Sequence, residues 1–344
     1  MTTPTIKLTQ FSPGAGCGCK ISPADLQAII ARVPDKTGFD HLLVGCESRD
    51  DAAVYDIGNG NVLISTTDFF TPIVDDPYDF GCIAAANAIS DVYAMGGKPI
   101  VAISILGWPL DKLPAEMAAS VIEGAIDTCR EAGIPLAGGH SIDISDPVFG
   151  LAITGTATAD QIKRNNTATG GCRLFLTKPL GTGILSTAGK KGFLTDQDYQ
   201  ASVSWMTKLN SAGAELGQME CVRAMTDITG FGLLGHLLEV CEGSGVSAHI
   251  RFAAIPKLEH LEGYIAKNCI PGGTYRNWKS YREKISEVTE LQKLVLADPQ
   301  TSGGLLIAVD DKTKDFDNYA RKNSFVEIGY LDQAVNGTVI WVED

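Results

Sequence analysis

The sequence predicts a protein of two mixed α and β halves, and three observations carry that reading. Its 344 residues suffice for about two domains of on the order of 150 residues each. Strand-like and helix-like segments alternate along the chain, the pattern of α+β or α/β halves rather than of a bundle or a sandwich. A polar stretch at residues 163–171, closing in Gly170-Gly171, reads as the linker between them. The boundaries expected are 1–47 for a flexible glycine-rich segment and a lead-in helix, 48–162 for an amino-terminal domain and 170–344 for a carboxyl-terminal α/β domain.

Ser22-Pro23-Ala24-Asp25 supplies an N-cap, a proline at the first helical position and an acidic first turn. Leu26, Ile29, Ile30 and Val33 then fall at i, i+3, i+4 and i+7, one apolar face. Residues 52–57 and 62–67 read as strands joined by Gly58-Asn59-Gly60-Asn61, a hairpin signal. Residues 80–95 are alanine-rich and stop at Gly96-Gly97, a helix with a glycine terminus. A β-branched run at 99–106 is a strand, 114–132 a helix between Pro114 and Gly133, and two strands follow near 134–138 and 148–156. The second half holds a strand at 174–177, a helix at 229–241 and strands at 305–309, 326–330 and 338–342.

Composition narrows the function classes. Hydrophobic residues at 44% and charged residues at 20% are those of a globular chain that buries a full core. The start Met-Thr-Thr-Pro-Thr-Ile-Lys has no apolar h-region, and the apolar stretch around 99–110 is too short to span a bilayer. A cytoplasmic protein without membrane contact is expected. Nine scattered cysteines fit thiols in a reducing compartment rather than a disulfide framework. The net charge of −13 argues against a nucleic-acid binder, which needs cations for phosphates. It leaves a nucleotide ligand open, since glycine loops and metal ions hold phosphate locally.

The chemistry concentrates in a few segments. Gly-Ala-Gly-Cys-Gly-Cys-Lys at residues 14–20 sets two thiols and an amine on a glycine-rich backbone. An ammonium such as Lys20 beside a thiol favours the thiolate. An incidental tail, or half of a metal clip with two of the four soft ligands structural zinc requires, are the competing readings. Acidic residues recur at strand ends and helix starts: Asp50 and Asp51, Asp68, Asp91 and Asp227. Hard oxygen ligands converging from separate elements suit Mg²⁺ that also meets phosphates, although each aspartate alone also fits a turn or a cap. Asn87 and Asp91, four apart, share one side of the alanine-rich helix. Asp91 neither caps that helix nor favours it. Ala137-Gly138-Gly139-His140-Ser141 follows a short strand and Ser302-Gly303-Gly304 precedes another. Such loops cradle phosphate or simply turn, and neither matches the P-loop or dinucleotide fingerprints. His140 sits in the first loop, whereas His236 reads as helix packing. Thr226-Asp227-Ile228-Thr229-Gly230-Phe231-Gly232 opens a helix in the second half.

Taken in order, these segments resemble the selenophosphate synthetases, within the aminoimidazole ribonucleotide synthetase-like superfamily. The marks are residues 14–20, Arg49-Asp50-Asp51-Ala52-Ala53-Val54, Ser65-Thr66-Thr67-Asp68-Phe69-Phe70, and residues 87–99, 137–141, 225–232 and 298–304. The resemblance runs from about Ile6 to the carboxyl terminus, and Cys-Gly-Cys-Lys separates this family from its superfamily. It implies a two-domain fold whose amino-terminal sheets pair into a barrel across a homodimer. It implies conversion of selenide, ATP and water to selenophosphate, AMP and phosphate, with Mg²⁺ as cofactor. A selenium-delivery protein is a further partner it leaves room for. By motif position Cys17 is the catalytic thiol and Lys20 the cation beside it. Asp51, Asp91 and Asp227 hold magnesium. Lys20, Ser48, Arg49, Asp50, Asp68 and Asp91 meet the nucleotide, and Gly139, His140 and Ser141 approach it from the partner subunit.

Pro13 stands where familiar bacterial members have His, so no imidazole is assigned as a base for Cys17, and Cys19 need not act as Cys17 does. Two rival readings remain at this level. A kinase or ligase of the same superfamily would not need Cys-Gly-Cys-Lys. A non-enzymatic thiol carrier of selenium or metal would leave the four aspartates unexplained.

Overall fold

The computed structural model describes residues 6–12, 14, 16–21, 23–30, 32, 38–45, 50–310, 315–334 and 337–344, with the backbone alone at Cys17, Cys19, Pro23, Ala24, Gln27 and Ile30. The first half forms a six-stranded sheet from β1 (Leu42–Val44), β2 (Ala53–Gly58), β3 (Asn61–Phe70), β4 (Lys98–Gly107), β5 (Leu136–Ile142) and β6 (Val148–Thr158), in the order β1-β2-β3-β6-β4-β5. Only β4 and β5 run parallel. The second half forms another six-stranded sheet from β7 (Cys172–Leu176), β8 (Val222–Asp227), β9 (Val246–Arg251), β10 (Leu305–Asp310), β11 (Val326–Gln333) and β12 (Ile340–Glu343). Its order is β12-β9-β11-β7-β10-β8, with β12 parallel to β9.

The period of two along β3 shows how the first sheet is used. Val62, Ile64 and Phe70 point inward and pack with Phe149, Leu151 and Ile153 of β6 against the helix Pro77–Ala94. Asp76 caps that helix by accepting the Asp79 N–H at 2.9 Å, and a proline occupies its first turn. Because the helix is buried almost all round, its sequence is apolar on every side, and Asn87, Ser90 and Asp91 stand out as polar exceptions. It crosses the helix Ala115–Glu131 at two glycines. A Cβ on Gly81 would lie 1.9 Å from the Val121 carbonyl oxygen, and one on Gly124 would lie 2.2 Å from that of Tyr78. Among the described residues no helix covers the outer face of the sheet, and Tyr55, Ile57, Phe69, Ile100 and Ile103 are exposed on it.

The second sheet is buried on both faces. Leu174 and Leu176 of β7 face one core with Leu234 and Leu237 of the helix Gly232–Ser244. Phe175 between them faces another with Phe316, Met225 and Ile307. Ala94, at the end of the helix Pro77–Ala94, sits in that second cluster and so ties the halves together.

Most expected elements are present. Asn59 and Gly60, at φ 55° and 76°, make the expected tight turn between β2 and β3. Three expectations change. The helix after Ser22 is Pro23–Ile30, but Leu26 and Ile29 on its apolar face are 37% and 51% exposed. Residues 137–141 lie within β5 rather than in a loop after it. Gly139 is needed there because a Cβ would meet the Ser104 main chain at 2.2 Å. Asp227 ends β8, so the helix begins five residues later, at Gly232. Strands β1, β8 and β9 and, Gly232–Ser244 apart, the helices between residues 182 and 296 were not expected; at three to twelve residues they show too little periodicity to declare themselves.

Alanine for glycine within a helix usually stabilises by about 1 kcal/mol. At Gly81 the clash with Val121 opposes that gain, and overpacking costs about 1–3 kcal/mol. Gly81→Ala is therefore expected to lower the urea midpoint, and an increase would show that the two helices separate freely.

Candidate active site

The site lies where the two sheets meet, and both halves supply it. Along β3 the inward stripe of Val62 and Ile64 continues as Thr66 and Asp68, so the apolar core gives way to oxygen at one end of the strand. The helix beneath turns Asn87 and Asp91 to the same place. Asn87 Nδ2 donates to Asp68 Oδ2 at 2.7 Å, and Thr66 Oγ1 donates to Asp91 Oδ2 at 2.5 Å. Asp51 lies just ahead of β2. From the other half, β8 delivers Thr226 and Asp227: Thr226 Oγ1 donates to Asp51 Oδ1 at 2.9 Å, and Ser90 Oγ donates to Asp227 Oδ2 at 2.5 Å.

Asp51, Asp91 and Asp227 each present a carboxylate oxygen within 4.8 Å of the others. Burial, followed by the charges of Asp227 and Asp91, raises Asp51 well above the usual carboxylate range. Asp91 is raised in the same way by burial and then by Asp227 and Asp68. Asp227 is raised by burial, partly offset by the Ser90 hydroxyl. Among the described residues, Asp51 Oδ2 is buried without a hydrogen-bond partner. Three carboxylates this close, one with an orphaned oxygen, fit a hard divalent cation taken up through oxygen.

The thiol segment reaches this cluster. Lys20 Nζ lies 3.2 Å from Asp68 Oδ2, the oxygen that Asn87 also engages. The backbone of Gly16–Cys19 forms one 3₁₀ turn, while the side chains of Cys17 and Cys19, and all of Pro13, Ser48 and Arg49, lie outside the described residues. Asp50, expected at the nucleotide, accepts the Asn165 N–H of the linker at 2.7 Å. Gly139, His140 and Ser141 do not join the cluster of their own chain. They occupy edge strand β5, three strands from Asp68 on β3, or about 14 Å at the usual strand spacing.

Several residues around the cluster carried no readable signal. Asn210 Nδ2 bridges Ser90 Oγ at 2.8 Å and the Gly303 carbonyl at 2.9 Å. Lys178, at the end of β7, donates to the carbonyls of Lys208 and Ser302 at 2.6 and 2.9 Å. Burial lowers its ammonium to about 7 despite the nearby Asp227. Residues 298–304 dock between the halves, with the Ser302 N–H on Asn87 Oδ1 at 2.8 Å. Asp298 Oδ2 accepts the N–H groups of Gly183 and Ile184, and burial raises its carboxyl to about 8. His236 packs as expected, stacked on Phe231 and paired with Glu239.

An acidic cluster at the junction of two mixed α/β domains, reached by a Cys-Gly-Cys-Lys segment, defines a class. The chain matches the models for AIR synthase related protein, with its N-terminal domain over residues 49–159 and its C-terminal domain over 169–342. Among solved structures it is similar to thiamine-monophosphate kinase from Stenotrophomonas maltophilia (TM-score 0.65, 19% identity, 93% of this chain and 95% of that one). It is also similar to the hydrogenase maturation protein HypE in complex with ATP (TM-score 0.61, 18% identity, 83% and 80%). At these identities the likeness is one of fold. Sequence relatives are much nearer. The selenide, water dikinase of Photorhabdus laumondii is 57% identical over 97% of both chains, and that of Yersinia pseudotuberculosis 60% identical over 90% of this chain and 89% of its own. The chain belongs to the selenide, water dikinases, the selenophosphate synthetases.

The cluster sets a pH dependence for the metal-free protein. Its carboxylates hold protons in the folded state above the unfolded value of about 3.9. The folded state therefore binds more protons than the unfolded one, and stability falls as pH rises from about 4 until the folded carboxylates ionise. The thermal midpoint in EDTA is expected to fall from pH 5 to pH 8, and Asp91→Asn to flatten that fall. An unchanged slope in the variant would remove Asp91 from the coupled cluster.

Proposed function

We propose that the family's reaction, selenide plus ATP and water to selenophosphate, AMP and phosphate, is carried out by this chain on the interdomain carboxylate floor. The contact between Lys20 and Asp68 carries this reading, because it seats the family's distinguishing segment at the acidic cluster. ATP brings about four negative charges, which acidic residues meet only through divalent cations. Asp51, Asp91 and Asp227 are the residues that would hold Mg²⁺, and bound Mg²⁺ would neutralise phosphate charge as phosphoryl groups leave. Asp68, fixed by Asn87, orients Lys20 towards the same space. Cys17 handles selenium, Lys20 offsets the charge of selenide or phosphate, and Ser48, Arg49 and Asp50 line the nucleotide.

The reading includes a homodimer. Tyr55, Ile57, Phe69, Ile100 and Ile103 are exposed apolar side chains on the outer face of the first sheet, and exposed apolar surface of this kind suits a protein partner. Pairing that face with a second copy closes a barrel. It brings Gly139, His140 and Ser141 on β5 towards the partner's nucleotide, a role that fits their distance from their own Asp68. Among the described residues, no helix is long and apolar enough to cross a membrane. Cys82, Cys129, Cys172, Cys221, Cys241 and Cys269 are free thiols, which supports a cytoplasmic setting.

Two measurements test this. Anaerobic ³¹P NMR with ATP, Mg²⁺ and selenide is expected to show selenophosphate with AMP, and Cys17→Ser to lose it. ADP as sole product, indifferent to selenide, would move the chain to the kinase chemistry of its fold neighbours. In sedimentation, Ile103→Lys is expected to shift the protein from dimer to monomer and to weaken ATP binding by at least tenfold, about 1.4 kcal/mol. A parent protein that sediments as a monomer would remove the barrel.

A further inference from the structure

The backbone that carries the thiols is seated by both domains. On the amino-terminal side Gly16 donates its N–H to the Thr71 carbonyl at 3.1 Å. Its φ is +51°, and a Cβ there would meet Ile73 Cδ1 at 2.2 Å and Thr301 Oγ1 at 2.5 Å. On the carboxyl-terminal side Gly18 rests on Pro299, and a Cβ on Gly273 would lie 3.4 Å from the Gly18 carbonyl oxygen. Two cations from separate helices complete the seat. Arg276, on the helix Gly272–Tyr281, donates from Nη2 to the Gly18 carbonyl at 2.9 Å. Lys190, ending the helix Thr182–Lys190, donates to the carbonyls of Ser12 at 2.7 Å and Gly14 at 3.4 Å. A cavity of about 230 Å³ lies between them, lined by Gly14, Gly18, Gly183, Lys190, Arg276 and Thr301.

We infer that Arg276 is a positioning residue for selenophosphate formation: by holding the Gly18 carbonyl it fixes the thiol-bearing turn against the carboxyl-terminal domain, beside a cation-lined cavity that suits the hydroselenide anion. Gly18 is joined directly to Cys17 and Cys19, so this contact is one peptide from each thiol. The bond is charge-assisted and stronger than a neutral one, and guanidinium has five N–H donors, so one contact does not exhaust it. Without it the turn keeps its covalent tether, the Lys20 and Lys190 contacts and its packing on Pro299 and Gly273, but loses the charge-assisted bond that fixes the Gly18 carbonyl between the two thiols. Displacement of a reacting group by about 1 Å costs on the order of a hundredfold in rate. The nucleotide floor, built from Asp51, Asp68, Asp91 and Asp227, does not touch Arg276, so selenide and ATP should respond differently.

The inference rests on Cys17 as the catalytic thiol, and the two are separable by experiment. Arg276→Ala and Arg276→Lys are compared with the parent and with Cys17→Ser under anaerobic conditions. Peptide mapping follows iodoacetamide modification of Cys17, and steady-state kinetics give kcat/KM for selenide and KM for ATP. In Arg276→Ala, Cys17 is expected to react about tenfold faster and kcat/KM for selenide to fall about a hundredfold, with KM for ATP and the Mg²⁺–ATP shift in thermal midpoint unchanged. Arg276→Lys, which keeps a donor that reaches the carbonyl, is expected to recover about tenfold of that loss. Alkylation and kcat/KM within twofold of the parent would overturn the inference. So would a parallel loss of ATP affinity and thermal stability, which marks a merely structural residue. Full activity in Cys17→Ser would sink the thiol reading alone and leave the alkylation result to judge whether Arg276 holds the turn.

Discussion

Three carboxylates brought within 4.8 Å of one another at a domain junction set the terms for the rest of this structure. At an effective dielectric of about 20, two unit charges at that separation repel by about 3 kcal/mol, so three pairs would oppose folding by about 10 kcal/mol if all were ionised. Hydrogen bonds to charged groups return about 1.5–3 kcal/mol each. The hydroxyls of Thr66, Ser90 and Thr226 therefore reduce the repulsion without removing it. The metal-free cluster keeps protons instead, which is the direction in which all three carboxyls move.

That constraint explains how the domains are joined. Asp227 comes from the second half and Asp51 and Asp91 from the first, so the cluster exists only while the halves are docked. Beside the apolar contacts of Ala94, Val203 and Met206, buried and part-buried hydrogen bonds hold them there: Ser90 to Asp227, Thr226 to Asp51, Asn210 to Ser90 and Gly303, and Ser302 to Asn87. Each places its donor and acceptor on opposite sides of the junction or ties the 298–304 loop into it. A wholly apolar junction would hold the domains as well but would leave the carboxylates without donors, and a buried charge without partners is the costlier arrangement. Docking and site assembly are in this sense one event.

The thiol segment uses glycine for more than freedom of movement. Gly16 lets the backbone press against Ile73 and Thr301 where a side chain would collide. Thiamine-monophosphate kinase and HypE show that the two-domain scaffold occurs at 19% and 18% identity. In this chain Lys20, Lys190 and Arg276 connect the segment to that scaffold through one carboxylate and three carbonyls. The scaffold supplies the acidic floor, and these contacts bring the thiols' backbone to it.

Much of this was legible in the chain itself. Periodicity and turn residues marked β2 to β6 and the helices Pro77–Ala94 and Ala115–Glu131, because one-sided burial writes a period of two or of 3.6 into sequence. Asp91 was visible as a site residue because an aspartate within an alanine-rich helix has no structural reason to be there, and Cys-Gly-Cys-Lys because its chemistry is dense. The short strand β8 and the residues Ser90, Asn210, Lys178 and Arg276 were not visible. A serine, an amide or a cation that hydrogen-bonds across a junction has no local pattern, since its partner lies about 90 to more than 200 residues away. Local sequence thus marked most of the longer elements, the aspartates that converge and the family. Only tertiary structure decided that Asp50 holds the linker, that residues 137–141 form an edge strand remote from their own cluster, and that two cations clasp the thiol segment, because hydrogen bonds and charges act through distance in space, which the order of residues does not record.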